Sequence, residues 1–495
     1  MNAPLPDVTV RISDAARGAV TDEAGRYRLT IPADSVISLE FRYIGYSVLI
    51  EELQLEEGQT MELNVILQEE TAVLSDVVIK DDELRNEASV TVIDPKTIES
   101  LPTAFGEFNR ILVTLPGVVS NNELSSSYSV RGGSFDENLV YVNDIPVYRP
   151  FLISNGQQEG LSFINPDLVS AVRFSSGGWQ PKYGDRLSSV LNVQYKQPED
   201  FAASAAISLL GGSAHLEGAK GRVSYVIGAR HKSSRYLLNT LETAGGYRPR
   251  FTDLQSYFTI RMDKEPRVKS PVLGVLLAYG RNRYQVKPET RTSEFGTFNQ
   301  PLRFTVAFAG REILEYDTYQ AGLKYTSWIS DNWKSDVILS AVRAFEREYT
   351  NIEGGYRLCD VDNQLGSPTF NECVTTRGIG TRFDYGRNTL EAALFNAETR
   401  QYVLLDNRDA VEFGIGAAAQ VFDDYLDEYE FTDSLRYVTD ITRRFADNNL
   451  SNQQFFAYGQ YNWNPDERFS LTGGLRLMHT TMNGEWLLSP RMQAS

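Results

Sequence analysis

The chain has 495 residues, a formal net charge of −17, and an abundance of tyrosine (26) and phenylalanine (25) with only two cysteines. That length predicts two to four domains, and the acidic balance excludes a nucleic-acid partner, whose phosphates require a basic face. No stretch approaches the ~18 continuous apolar residues of a membrane helix, which leaves a β-barrel open, since barrels cross with alternating segments of about 9–11 residues.

In chain order, Met1 to Pro6 has neither the basic start nor the apolar core of a secretory leader. Residues 1–69 predict a small β-sandwich. Val8 to Ile12 is a strand, and Asp22-Glu23-Ala24-Gly25 a turn. Tyr27, Leu29 and Ile31 then face one way and Arg26, Arg28 and Thr30 the other. Ile37, Leu39, Phe41 and Tyr43 repeat the period of two, and Met61 to Leu67 supplies a last strand. Residues 70–84 form a polar linker interrupted by Leu74 to Lys80, where Val77, Val78 and Ile79 follow Asp76 without Pro or Gly and make a ready edge strand.

A second compact region spans about 85–196. Ser89 to Ile93 predicts a strand, and Asp94 and Pro95 cap a helix over Lys96 to Ser100. Another helix, Glu107 to Leu115, is stopped by Pro116-Gly117, with Phe108, Ile111, Leu112 and Leu115 on one core-facing stripe. Residues 128–196 read as short strands and turns. Val140 and Val142 lead into a turn at Asn143-Asp144, residues that tolerate positive φ. The paired glycines 132–133 and 177–178 permit backbone approaches that a side chain would block.

From about 200 onward alternating strands follow one another, among them Val411 to Gln420 and Phe469 to Leu477. About a dozen such segments are too many for one open twisted sheet to carry without closing or splitting. Long loops are expected at 284–312 and 351–384. Alternation alone does not say whether the apolar face looks into a core or out to lipid.

The turn at Arg131-Gly132-Gly133, the run Tyr141-Val142-Asn143-Asp144-Ile145-Pro146-Val147, the segment Asn165-Pro166-Asp167 with Leu168 to Phe174, and the exit strand from Tyr183-Gly184 to Val193 together resemble the plug domain of TonB-dependent outer-membrane receptors. The turn Asn143-Asp144 stands where Asp-Gly is usual, and Ser176-Gly177-Gly178 where Arg-Gly-Pro is common. The stretch from Thr21 to Pro32, with Phe41 to Tyr46, is similar to the carboxypeptidase-regulatory-like domain found ahead of the plug in one large group of these receptors.

The resemblance implies a mainly β architecture: the N-terminal sandwich, an α+β plug over 85–196, and from 197 to 495 the N-terminal part of an antiparallel transmembrane barrel, about half of the ~22 strands of a plugged barrel. It implies a chain lacking the sandwich's first strand and the barrel's terminal aromatic strand. It also implies a site in the outer membrane with the N-terminal domain in the periplasm. The function implied is active import of a scarce or large solute (glycan, peptide, iron chelate or vitamin), with a non-transporting surface receptor or adhesin as the alternative. Asp76, Val77, Val78 and Ile79 become the strand that pairs with the TonB-type energy transducer, or else a linker strand. A surface lipoprotein is a further partner the group uses. Arg131, costly in a dry core, either ties the plug to acidic groups of the wall or serves as a latch. Its neighbours Gly132, Gly133, Asn143, Asp144, Gly177, Gly178, Tyr183 and Gly184 form the plug turns.

Cys359 and Cys373, fourteen positions apart in a polar Gly- and Asn-rich stretch, are expected to form a disulfide on the oxidising exterior, with two free thiols as the alternative. His215, His231 and His479 match no metal spacing. Asp423-Asp424 and Glu428 to Glu430 read as a solvated loop, with calcium as the lesser reading. Nothing pairs a nucleophile with a base, and the Gly-rich runs lack a phosphate-loop lysine. No enzyme activity, cofactor or metal is expected.

Overall fold

A computed structural model describes residues 5, 8–12, 18–22, 24–33, 37–43, 49–56, 58–67, 90–93, 108–120, 127–150, 162–177, 180–184, 186–233, 246–263, 269–297, 300–405, 409–434, 437–465 and 469–494. The expected strand containing Asp76, Val77, Val78 and Ile79, the helix expected at 96–100, and Gly178 lie outside the described residues. The chain divides into two compact units, Met1–Arg85 and Asn86–Ser495.

In the first unit, β1 (Thr9–Ile12), β2 (Gly18–Val20), β3 (Ile37–Arg42) and β4 (Leu49–Leu53) form an antiparallel sheet in the order β2-β1-β3-β4. Val8, Val10, Ile37, Leu39 and Phe41 are buried on one face, covered by Tyr27, Leu29, Ile31, Leu63, Val65 and Leu67. The covering segments are the expected strands at 27–31 and 61–67, which run here outside any assigned strand. The Asp22 turn closes as expected, its carboxylate accepting from the Ala24 and Arg26 amides at 3.0 and 2.9 Å.

The second unit opens with the plug: β5 (Val90–Ile93), α1 (Asn109–Leu112), β6 (Val118–Val119), β7 (Ser129–Val130), β8 (Asn138–Val142), β9 (Ile145–Pro146), β10 (Val169–Ser175) and β11 (Ser189–Tyr195). Five of them make a mixed sheet ordered β5-β10-β11-β8-β9, in which β11 runs parallel to β8. The short α1 buries Phe108, Ile111 and Leu112, the stripe read from the sequence. Before β10, Asn165 caps a single 3₁₀ turn by accepting from the Asp167 amide at 3.2 Å, with Pro166 at its first position.

The remainder is one sheet: β12 (Ala202–Ser208), β13 (Gly211–Lys220), β14 (Val223–Ser233), β15 (Gly246–Tyr247), β16 (Arg250–Arg261), β17 (Val272–Lys287), β18 (Arg291–Thr297), β19 (Gln300–Ser330), β20 (Trp333–Val361), β21 (Cys373–Leu404), β22 (Ala410–Ser434), β23 (Tyr437–Trp463), β24 (Leu471–Thr480) and β25 (Trp486–Ala494). Every ladder is antiparallel between chain neighbours, except that β15 and β18 pair as short spurs on β17 and β19. The twelve strands of the main path match the dozen alternating segments expected.

Burial settles the sense of the alternation. On β16, Asp253, Gln255, Tyr257 and Thr259 are buried while Leu254 between them is 50% exposed. On β21 and β22, Glu398, Arg400 and Glu412 are buried, whereas Phe395, Phe413 and Ile415 face out. Polar side chains turned inward and apolar ones turned outward are the pattern of a transmembrane barrel wall. No described helix is long and apolar enough to cross a membrane.

Two expectations are corrected here. The stretches 284–312 and 351–384 are mostly continuations of β17 to β21, strands of up to 32 residues, with residues 362–372 as the irregular remnant between β20 and β21. Ladder pairing satisfies their backbone groups even where both faces are polar, so no apolar alternation is needed to hold them. For the same reason Asp423, Asp424, Glu428 and Glu430 sit on β22 and not in a solvated loop. Cys359, at the end of β20, is bonded to Cys373, which opens β21, with Cα atoms 5.6 Å apart.

Candidate functional site

The β8–β9 hairpin is where plug chemistry meets the wall. Its two-residue loop puts Asn143 at φ 51° and Asp144 at φ 66°, the type I′ geometry that follows the twist of the flanking strands and suits Asn and Asp. Asn143 accepts from the Tyr195 amide at 2.7 Å through Oδ1, which fastens the turn to β11. Asp144 accepts from Asn192 Nδ2 at 2.8 Å and ion-pairs with Lys324 of β19, while Arg400 Nη1 of β21 stands 3.6 Å away. Each cation has a second carboxylate: Asp336 Oδ2 lies 4.0 Å from Lys324, and Glu398 takes two bonds from Arg400 at 2.7 and 3.0 Å.

Charges so placed cost desolvation energy unless each is paired and bonded, and here positive and negative groups alternate. Burial pushes the Asp144 carboxyl up, but the Lys324 ammonium and the Arg400 guanidinium outweigh it and hold it well below the usual carboxylate range. Beside them, Gly322 lets Ile145 approach: a Cβ there would lie 2.7 Å from Ile145 Cγ2. Gln320 Nε2 donates to the Pro146 carbonyl at 2.8 Å.

Two further anchors lie elsewhere around the wall. Arg230 of β14, buried and paired with Asp253 of β16, donates to the Ile164 carbonyl at 2.9 Å and the Ser162 carbonyl at 2.9 Å. Arg476 of β24 donates to the Pro181 carbonyl at 3.3 Å, and Arg491 of β25 to the Gln180 carbonyl at 2.7 Å. Lys182 adds an ion pair to Glu412 of β22 at 3.3 Å. Between the anchors, Val226, Tyr257, Leu276 and Ile338 of the wall join the plug's own apolar core. Toward the long hairpins, Arg149 of the plug pairs with Glu346 of β20, beside a small cavity of about 70 Å³ lined by Tyr148, Asn282 and Tyr316.

The plug turns fall into two groups. Asn143, Asp144, Tyr183 and Gly184 lie against the wall or its anchors, and Tyr183 packs its ring 5.2 Å from Tyr141. Arg131 (φ 49°) is exposed; its amide donates to the Gly117 carbonyl at 2.8 Å, and its side chain lies across Gly117 and Gly177. No wall carboxylate meets it among the described residues. Gly132 is at φ 83°, and Gly133 is pressed against Ser188. The anchors Arg230, Lys324, Arg400, Arg476 and Arg491 were not picked out from the sequence. Their signal is a charged residue on the inward register of a strand whose outward register is apolar, as with Glu398 and Arg400 against Phe395.

Residues 1–79 match the CarboxypepD_reg-like domain, and residues 82–189 match the TonB-dependent Receptor Plug Domain. The chain carries the plug of a TonB-dependent receptor. No curated protein matches it. Among solved structures, this receptor chain is similar to a variant of the ferric enterobactin receptor of Pseudomonas aeruginosa (15% identity, TM-score 0.52, 83% of this chain and 60% of that one). It is likewise similar to the unliganded ferric citrate transporter (14%, 0.52, 84% and 60%) and to the outer membrane transporter YddB of Escherichia coli (13%, 0.50, 82% and 58%). At such identities the likeness concerns the fold: a plug inside a barrel. The receptor chain spans about 60% of the length of these structures.

Proposed function

We propose that the chain forms the plug and adjoining wall of an outer-membrane importer energised through TonB, with its first unit in the periplasm. The observation that supports this best is the way the plug is held. Its contacts with the wall are a few separate polar anchors, at Asp144, at residues 162–164 and at residues 180–183, around a small shared apolar patch. Anchors of that kind release one at a time, which suits a stopper that must hold against leakage and still move. The similar structures named as a ferric citrate transporter and a ferric enterobactin receptor agree with this reading. Asp76 to Ile79 is the strand that would add to a sheet of the transducer, and the solute is one too large or too scarce for open porins.

The test is deletion of residues 74–80 from the receptor in cells. Uptake of its solute should cease while surface binding persists. The long hairpins formed by β19 to β23 also suit a non-transporting receptor or adhesin, and unchanged function after the deletion would establish that reading instead.

A further inference from the structure

Strand register sorts the outward face of β16 to β22 into rows. One row holds an apolar groove of about 560 Å³, walled by Leu323, Leu339, Phe395 and Phe455 and floored by Ala341 and Ala417. Toward the long hairpins the next outward residues are Tyr319, whose ring lies 4.9 Å from that of Tyr279, and Arg343 beside it in register. Beyond them Arg281 pairs with Asp317, and Arg250, Arg283, Glu315 and Arg347 stand side by side on consecutive strands of the path. On the opposite side of the apolar belt, the outward positions of the same strands hold Ser327, Ser335 and Gln401, which carry no charge.

Three observations point to an anionic occupant. The arginine side chains are 47–60% exposed, whereas Asp317 and Glu315 beneath them are 16–17% exposed, so the guanidinium groups are what the surface presents. Glu315 serves both Arg283 (2.9 Å) and Arg347 (3.9 Å). Arg250 and Arg283 are directly opposite in the ladder, a like-charge pairing that is destabilising unless an anion sits between them. All this occurs in a chain with a net charge of −17.

In outer-membrane barrels the short turns face the periplasm and the longer hairpins the exterior, so this arginine cluster lies at the headgroup level of the outer leaflet. We propose that the face binds a phosphorylated, multiply acylated lipid of that leaflet, its phosphates on Arg250, Arg281, Arg283 and Arg347 and an acyl chain in the groove. The inference rests on the wall crossing the membrane and is independent of transport.

The experiment is native mass spectrometry of the detergent-purified receptor with diphosphoryl lipid A as the probe, and with phosphatidylglycerol and inorganic phosphate as comparisons. One diphosphoryl lipid A should be retained in preference to phosphatidylglycerol, and millimolar phosphate should not displace it. Arg250→Gln with Arg283→Gln should weaken retention roughly 25-fold, at about fivefold for each surface arginine. Ala341→Trp, which fills the groove, should weaken it with every arginine in place. Folding of each variant is checked by its heat-modifiable migration. Unchanged retention in both variants, phosphatidylglycerol held as tightly, or displacement by phosphate would overturn the proposal.

Discussion

The small sheet of the first unit and the large wall of the second are both built on a period of two, but in opposite senses. In the first, Val10, Leu39 and Phe41 point into a closed core. In the second, Leu254, Phe413 and Ile415 point away from the body of the protein, while Gln255, Glu412 and Arg400 are shut inside. The same strand chemistry satisfies both, because the ladder needs only paired backbone groups and each face takes whatever solvent suits it. The medium on each side decides which residues count as buried.

Substitutions that exchange the two situations should separate them. The largest effect is expected for Phe41→Ala. Truncating a fully enclosed ring costs about 3–5 kcal/mol, enough to abolish protection of residues 8–41 in hydrogen exchange. The matching change on the wall, Phe413→Ala, should cost less than about 1 kcal/mol, since lipid tails solvate the remaining surface as well as a neighbouring leucine would. Leu339→Arg comes next, at about 2–4 kcal/mol for an arginine in the lipid-facing band, read as a lower urea midpoint of tryptophan fluorescence in vesicles. Gly322→Val, which would collide with Ile145, should cost about 1–3 kcal/mol; it should appear as ion leakage through the reconstituted receptor, with the wall still folded.

The smallest effect concerns pH. The Asp144 carboxyl is held below its ordinary value by Lys324 and Arg400. Its contribution to seating the plug is therefore complete above about pH 4, the range of a free carboxylate. It is lost as pH falls from there through the depressed folded-state value. Leakage in the parent should rise on acidification below pH 4. Asp144→Asn should leak at neutral pH and lose that part of the pH response.

The sequence made some features legible and hid others for physical reasons. The Asn143-Asp144 hairpin was readable because positive φ at two consecutive positions leaves few residue choices, and the α1 stripe because its partners are three or four positions apart. The Cys359–Cys373 bond was readable from its setting. The hairpins at 284–312 and 351–384 were not, since strands wetted on both sides leave no apolar alternation. The anchors were hidden for another reason. Lys324 meets Asp144 across 180 positions and Arg476 meets Pro181 across 295, so only the folded bore brings them together.

The order of strands in the plug sheet has a mechanical consequence. β5 is outermost, joined to β10 by four successive rungs from Val90↔Ser175 to Ile93↔Val172, while the β8–β9 hairpin with Asp144 occupies the opposite border. A tug on the chain ahead of Val90 therefore unzips those rungs singly, and the strain reaches the Lys324 contact last. A narrow passage beside the withdrawn edge would open while the far border of the stopper stayed bolted in place.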